Sequence, residues 1–367
     1  MRTLAIGLIS GTSMDGVDAA LCAFEGSRFA SLMATHATPY PDALRQRLLR
    51  LQRDEPAIPL REYAELDNAV ADVFTDAAKA LLHAAGAAPN QVRAIGSHGQ
   101  TVFHDPRGVG SSLQLGNPNR IAARSGLTTV ADFRRKDIAL GGEGAPLVPA
   151  FHQAVFADAG ESRCVVNIGG IANVTCLPRH DDVRGFDTGP GNGLMDEWIH
   201  QHRGEAYDRD GDYAASGTLL QPLLDALLSD PYFALPPPKS TGRGQFNLDW
   251  VRQRFVGLDA LRPEDVQRTL CELTARSIGD AVRGHAPEAR RLLVCGGGAR
   301  NRMLMGRLAA LTGLPVETTG AHGLDADWVE AAAFAWLAVQ TLDGLPGNLP
   351  TVTGATARTI LGGIYRA

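Results

Sequence analysis

The sequence predicts an α/β protein of two lobes, built as duplicated halves with β-hairpins and mixed sheets around a central cleft, and two glycine-rich hairpins carry that prediction. One is Ile6-Gly7-Leu8-Ile9-Ser10-Gly11-Thr12-Ser13-Met14-Asp15-Gly16-Val17-Asp18, and its counterpart is Val165-Val166-Asn167-Ile168-Gly169-Gly170-Ile171-Ala172-Asn173-Val174-Thr175. Each reads as strand, tight polar turn, strand. A third observation is length, because 367 residues exceed what one core usually supports. The expected first lobe spans residues 1–133 with a returning tail at about 352–367, and the second spans 134–351. Closure of the lobes on a substrate is the expected motion.

The elements follow in order. After the first hairpin, residues 29–37 add a third strand, and Pro41-Asp42 opens a helix with Leu44, Leu48 and Leu51 on one face. A longer helix carries Leu66, Val70, Phe74, Ala77 and Leu81 at three- and four-residue steps and ends near Gly86. Residues 92–96 form a short buried strand that delivers Ser97-His98-Gly99-Gln100-Thr101 at its carboxyl end, where open α/β sheets place ligand contacts. The second half repeats the order with strands at 164–168, 171–177 and 183–186. The last of these delivers Asp187-Thr188-Gly189-Pro190-Gly191-Asn192 to a helix at 194–200. A helix marked by Val266, Leu270, Leu273 and Ile278 precedes the strand 292–295 and the run Gly296-Gly297-Gly298. The final helix, 327 to about 340, turns Val329, Ala333, Trp336 and Leu337 inward. Segments 229–247 and 345–363, rich in Gly, Pro or Thr, read as ordered loops.

Composition excludes several classes of partner. With 44% apolar, 20% charged and 6% aromatic residues the chain resembles an ordinary soluble enzyme. A net charge of -5 offers no basic face, so nucleic acid is not an expected partner. No stretch approaches the roughly 18 apolar residues of a membrane helix, and the first residues lack a secretory signal, which predicts a cytoplasmic protein with no membrane partner. Cys22, Cys164, Cys176, Cys271 and Cys295 lie on apolar stretches without a CxxC pair and read as buried reduced thiols.

The segment Gly11-Thr12-Ser13-Met14-Asp15-Gly16 supplies amides, two hydroxyls and a carboxylate, which suits phosphate with a magnesium ion held by Asp15, partly through water. The alternative is a β-turn without a ligand. A second cradle at Asn167, Gly169 and Gly170, and the amides of Gly296, Gly297 and Gly298, favour a bound nucleotide. Neither GxxxxGK[ST] nor GxGxxG is present, so the phosphate site is not a P-loop.

Asp187 is the candidate general base, a carboxylate at a strand end with little bulk around it. Its alternative role is helix capping, for which Asn192 is better placed. Arg134, in the charge cluster Asp132-Phe133-Arg134-Arg135-Lys136-Asp137, is either part of a solvated face or an anion-binding group in the cleft. His98 is either a substrate ligand, with Gln100 beside it, or hydrogen-bonded scaffold. Glu330 is either a substrate acceptor or a charge favoured by the first helical turn. Asp208-Arg209-Asp210-Gly211-Asp212 lacks the full ligand set of a calcium loop and reads as a polar turn.

These motifs together resemble the anhydro-N-acetylmuramic acid kinase family of the sugar-kinase, heat-shock-protein and actin superfamily. The resemblance runs nearly end to end. It rests on residues 11–18 and 97–101, Asp132-Phe133-Arg134 with Gly144-Ala145-Pro146-Leu147-Val148-Pro149, residues 167–173 and 187–192, Pro237-Pro238-Lys239-Ser240-Thr241-Gly242-Arg243, and Cys295-Gly296-Gly297-Gly298. It implies an actin-like ATPase (ribonuclease H-like) fold, use of ATP and magnesium, and a sugar substrate whose 1,6-anhydro ring is opened by water while the 6-oxygen receives the γ-phosphoryl. It further implies a role in peptidoglycan recycling and a homodimer. Asp187 matches the family's base; Gly11, Thr12, Ser13, Met14, Asp15, Gly16, Val17 and Asp18 match its first ATP hairpin. Arg134 would offset phosphoryl charge, Glu330 and His98 would hold the sugar, and Lys239 or an arginine would meet the lactyl carboxylate. Two departures stand out. Glu143 replaces a common glutamine, and Gly244-Gln245 follows Arg243 where an acidic residue is usual. Two other readings remain open, a kinase of the same fold acting on an ordinary hydroxyl and an actin- or chaperone-like ATPase.

Overall fold

The structure is a computed structural model that describes residues 2–11, 14–54, 56–242 and 244–367. The chain divides into two compact units, Met1–Val155 with Trp328–Ala367, and Phe156–Asp327. Residues 134–155 and 328–351 thus belong to the first unit, where the sequence had suggested the second lobe. The final helix explains the difference. Gly7 and Gly96 are register partners on adjacent strands. A Cβ on Gly7 would fall 1.8 Å from the Ala331 carbonyl oxygen, and one on Gly96 would fall 2.0 Å from that of Phe334. Helix Val329–Leu342 therefore lies backbone against backbone on the first unit's sheet, which only glycine permits. Its residues from Ala331 to Thr341 are buried all round, so the expected inward set of Val329, Ala333, Trp336 and Leu337 is only part of its buried surface.

In the first unit, β1 (Arg2–Ser10), β2 (Gly16–Glu25) and β3 (Arg28–Pro39) form an antiparallel meander. They are followed by β4 (Val92–Asp105), β5 (Ser111–Leu115) and β6 (Thr129–Ala131). β4 runs parallel to β1 and β6, and the C-terminal strand Gly363–Tyr365 closes the edge beside β6. Helix Leu60–Ala85 buries the whole stripe that its periodicity predicts and stops at Gly86, whose φ of 61° sets a left-handed cap.

β4 differs from expectation. It does not end at Gly96 but continues through Ser97-His98-Gly99-Gln100-Thr101 to Asp105, so this motif lies inside a strand. The physical reason is Gly99: its φ of +75° shifts the register against β1, after which the strand leaves the parallel sheet and pairs with β5. A Cβ at Gly99 would sit 2.5 Å from the Leu115 carbonyl oxygen.

The second unit repeats the plan. β7 (Arg163–Ile168), β8 (Ile171–Leu177) and β9 (Arg184–Pro190) form the meander, and β10 (Arg291–Cys295) and β11 (Val316–Thr318) extend it in parallel. The order β11-β10-β7-β8-β9 matches β6-β4-β1-β2-β3 in the first unit. Helix Pro263–His285 packs on β8 and β9 and buries Val266, Leu270, Leu273 and Ile278. β9 continues to Pro190, so Asp187 is a strand residue and not the first residue after one. All five cysteines are buried free thiols. No helix among the described residues is long and apolar enough to cross a membrane.

Candidate functional site

In the second unit one rung of the sheet gathers the polar groups. Cys295 pairs with Asn167, Asn167 with Asn173, and Asn173 with Asp187, across β10, β7, β8 and β9. The Asp187 Oδ2 accepts hydrogen bonds from the Ser240 hydroxyl at 3.1 Å and the Thr241 N–H at 3.0 Å. Loss of hydration outweighs these two donors and pushes the Asp187 carboxyl up to about 6. Its backbone is fixed as well: the Asp187 N–H donates to the Lys239 carbonyl at 3.1 Å, and the Tyr232 hydroxyl donates to the Asp187 carbonyl at 2.8 Å. The clasp comes from a segment distant in the chain. Segment 229–247, expected to be an ordered loop, opens instead with the short helix Pro231–Ala234, and Lys239, Ser240 and Thr241 then lie against Asp187.

The glycines of this unit divide by what surrounds them. Gly191 is forced, since its Cβ would lie 2.2 Å from the Gly169 carbonyl oxygen. Gly296, at φ +77°, would place a Cβ 2.4 Å from Asn167 Oδ1, and Gly298 is equally closed by Ile168. Gly169 and Gly297 are less crowded, and a Cβ there would meet its nearest neighbours at 3.7 and 3.6 Å, an ordinary contact, so packing alone does not require glycine at either position. Within the turn, the Gly169 N–H donates to the Ile171 carbonyl at 3.2 Å, which removes that amide from the expected cradle. The Gly170 carbonyl accepts from Gly191 and Gly193 at 3.0 and 3.1 Å, tying hairpin to helix. Asn192 stands at the helix start but does not cap it; its Nδ2 donates to the Ile168 carbonyl at 3.1 Å. The expected capping role is therefore replaced by a cross-link to β7.

In the first unit, Thr12 and Ser13 of the expected phosphate hairpin lie outside the described residues, as does Arg243 of the later motif. The rest of the turn is well anchored. Met14 has φ 50° and a fully buried side chain, which hooks the loop into the core. Asp15 is exposed, Val17 is buried, and Asp18 is exposed on β2 opposite Ile9. A Cβ at Gly16 would lie 2.4 Å from the Thr38 carbonyl oxygen. Gln100, expected as a substrate residue, is buried, and its Nε2 donates to the carbonyls of Gly11 and Thr101, each at 3.3 Å. It supports the turn.

His98, Arg134 and Glu330 come together. The Arg134 Nε and Nη2 donate to His98 Nε2 at 3.1 and 2.8 Å, and Nη1 donates to the Gly144 carbonyl at 2.7 Å. The His98 ring is tilted on Phe334 at 4.6 Å between centroids, one helical turn beyond Glu330. Burial draws the Arg134 guanidinium down to about 10, while the charges of Glu330 and Asp137 act in the opposite direction. Burial and then Arg134 hold the His98 ring well below the usual histidine range. A cavity of about 100 Å³ adjoins this end of β4, lined in part by Tyr63, Ser97, His98, Asp132, Arg135 and Tyr365.

The family profile described as anhydro-N-acetylmuramic acid kinase matches residues 3–367. The chain belongs to the anhydro-N-acetylmuramic acid kinase family. It is 51% identical over 368 residues to a relative of that name from Xanthomonas campestris pv. campestris (strain 8004), covering 99% of this chain and 97% of the relative. It is 50% identical over 365 residues to one from Pasteurella multocida, covering 98% and 96%. A solved structure, the activator of the 2-hydroxyisocaproyl-CoA dehydratase from Clostridium difficile with bound ADPNP, aligns with a TM-score of 0.50 at 11% identity, over 94% of this chain and 96% of that one. That likeness and the repeated sheet order show the actin-like ATPase fold.

Within this family member, several polar neighbours were missed by sequence reasoning. Asn173 faces Asn167 and Asp187 in the rung, a relation that its spacing within the hairpin foreshadowed. Ser240 and Thr241 are 53 and 54 residues from Asp187, so no local signal links them to it. Lys239, considered for the substrate carboxylate, instead donates to the carbonyls of Tyr232 and Phe233 at 3.1 and 3.3 Å. Both sequence departures have defined partners: Glu143 pairs with Arg107 at 2.6 Å, and Gln245 Oε1 accepts from the Thr241 hydroxyl at 2.7 Å.

Proposed function

We infer that the protein is an ATP-dependent kinase that opens 1,6-anhydro-N-acetylmuramic acid with water and phosphorylates its 6-oxygen, giving N-acetylmuramic acid 6-phosphate and ADP. Family membership supports the reaction class. The single observation that carries the mechanism is the environment of Asp187. An anhydro-sugar has no free 6-hydroxyl to deprotonate, so a base must act on the water that attacks the anomeric carbon. As that water bonds to carbon, the bond from the anomeric carbon to the 6-oxygen breaks, and the released oxygen attacks the γ-phosphorus. A carboxyl pushed up to about 6 is ionised at neutral pH yet basic enough to take the water's proton.

The ATP phosphates are assigned to residues 11–18 and to Asn167, Gly169, Gly170 and residues 296–298, among which the N–H groups of Gly169 and Gly296 are already bonded to the carbonyls of Ile171 and Ala326. Asp15 fits magnesium as an exposed hard-oxygen donor beside the first turn, and the ion, when bound, neutralises phosphate charge. Arg134 is assigned to anionic oxygens and Glu330 to sugar hydroxyls. The same reading makes the enzyme a cytoplasmic homodimer acting in peptidoglycan recycling, a state that sedimentation velocity measures. Turnover in ¹⁸O-labelled water tests the reaction. Solvent oxygen at the anomeric carbon of the phosphorylated product is expected, whereas an unlabelled product identifies a kinase for an ordinary hydroxyl.

A further inference from the structure

The guanidinium of Arg134 directs two N–H groups at one nitrogen, His98 Nε2, at 3.1 and 2.8 Å. Such an approach requires a bare lone pair on Nε2, and a neutral imidazole then carries its proton on Nδ1. The ring is 6% exposed and rests on Phe334 at 4.6 Å, which fixes its plane. The other side of the guanidinium is fixed too. Gly144, whose carbonyl takes the Nη1 bond, donates its own N–H to Asp137 Oδ2 at 2.9 Å. Asp137 Oδ1 in turn accepts from Asn348 Nδ2 at 2.7 Å and from the Thr353 hydroxyl at 2.8 Å.

We propose that His98 is a positioning residue: a neutral, Nδ1-protonated acceptor that aims the Arg134 guanidinium and does not itself hold substrate. This rests on the assignment of Arg134 to anionic oxygens made above. A protonated ring would set a second cation against Arg134, and burial removes the water that would screen the two. The charged and titratable groups facing this pair are Glu330 on helix Val329–Leu342, Asp137 on helix Arg135–Ala139, and His104 further along β4, with Tyr63, Asp132, Arg135 and Tyr365 lining the cavity beside His98. Both carboxylates act on Arg134, so they favour the cation where it already stands.

Two measurements on the full-length protein decide the matter. Ring ¹⁵N spectra of histidine-labelled protein are expected to show His98 with a proton on Nδ1 and none on Nε2, unchanged between about pH 5 and 8. A proton on Nε2, or a ring that titrates near the ordinary value, overturns the proposal. In kinetics, His98→Leu is expected to lower kcat by about 10- to 100-fold, the range for losing a charge-assisted hydrogen bond, with the KM for ATP nearly unchanged. His98→Gln, which restores an acceptor oxygen, is expected to recover most of that loss; equal losses in the two variants overturn it. Should His98→Leu fail to fold, the spectra of the wild-type protein decide. Arg134→Ala separates the premises: full turnover in that variant removes Arg134 from the reaction and leaves the ring readout standing.

Discussion

Asp187 owes its basicity to a balance in which burial wins. Two donors stabilise its carboxylate, yet the loss of hydration leaves the group at about 6. In the proposed role of base Asp187 acts ionised, so kcat/KM is expected to rise with pH and level off above about 6, the direction set by a carboxyl that must lose its proton first. A pH–rate profile checks this, and Thr241→Pro, which deletes the backbone donor, is expected to move the ascending limb upward. Asp187→Asn is expected to lower kcat by at least ~10²-fold while an ATP analogue still binds, measured by turnover and by calorimetry. Among single residues the sequence was most legible where chemistry is carried by type and setting: a carboxylate before Thr188-Gly189-Pro190 is conspicuous in any reading. It was least legible where partners are distant, as with Ser240 and Thr241, because a hydrogen bond across more than 50 residues leaves no local pattern.

At the scale of elements, glycines set how closely layers approach. Gly96→Ala would drive a Cβ to 2.0 Å from the Phe334 carbonyl, a clash with backbone that no rotamer relieves. A loss of at least about 1–3 kcal/mol is expected in denaturant unfolding. Gly306, in helix Arg302–Thr312 with nothing within 4 Å, is the control of opposite sign. Gly306→Ala is expected to stabilise by about 0.5–1 kcal/mol through helix propensity. The long amphipathic helices were readable because one face stays polar, as in Leu60–Ala85 with its stripe from Leu66 to Leu81. Helix Val329–Leu342 was readable as a helix but not by its partner, since a surface buried all round carries no direction. β4 was misjudged because the strand reads as ending at Gly96, whereas in the sheet it runs on and Gly99 is a bulge that redirects it.

Across the whole molecule, pH acts on stability through groups that folding keeps neutral. His98 and His152, both in the first unit, are buried, and burial draws His152 down to about 3 and His98 well below its ordinary range. Below about pH 6.5 the unfolded chain binds these protons and the folded chain does not, so stability is fully present above that value and falls as pH drops. At pH 5 the loss is on the order of 1–2 kcal/mol for His152, and His98 acts in the same direction. Asp187 opposes it, since its raised carboxyl takes up a proton in the folded state first as pH falls through about 6. Burial also lowers His104 and His285 and raises Asp67, so four rings stand against two carboxyls and leave a lower Tm at pH 5 than at pH 7, which calorimetry at matched ionic strength checks; an unchanged Tm would count against the neutral burial of His98 and His152.

The sequence by itself determined the duplicated plan, the hairpins and the motifs that carry the family, because backbone turns, periodicity and the residue types of a reacting site are written in neighbouring positions. Only the tertiary structure decided that Ser240 and Thr241 hold Asp187, that Gln100 serves the first turn, and that Arg134 leans on His98. These relations join strands and loops far apart in the chain. They depend on register and on which buried groups find each other once water is excluded, and no local stretch of sequence encodes either.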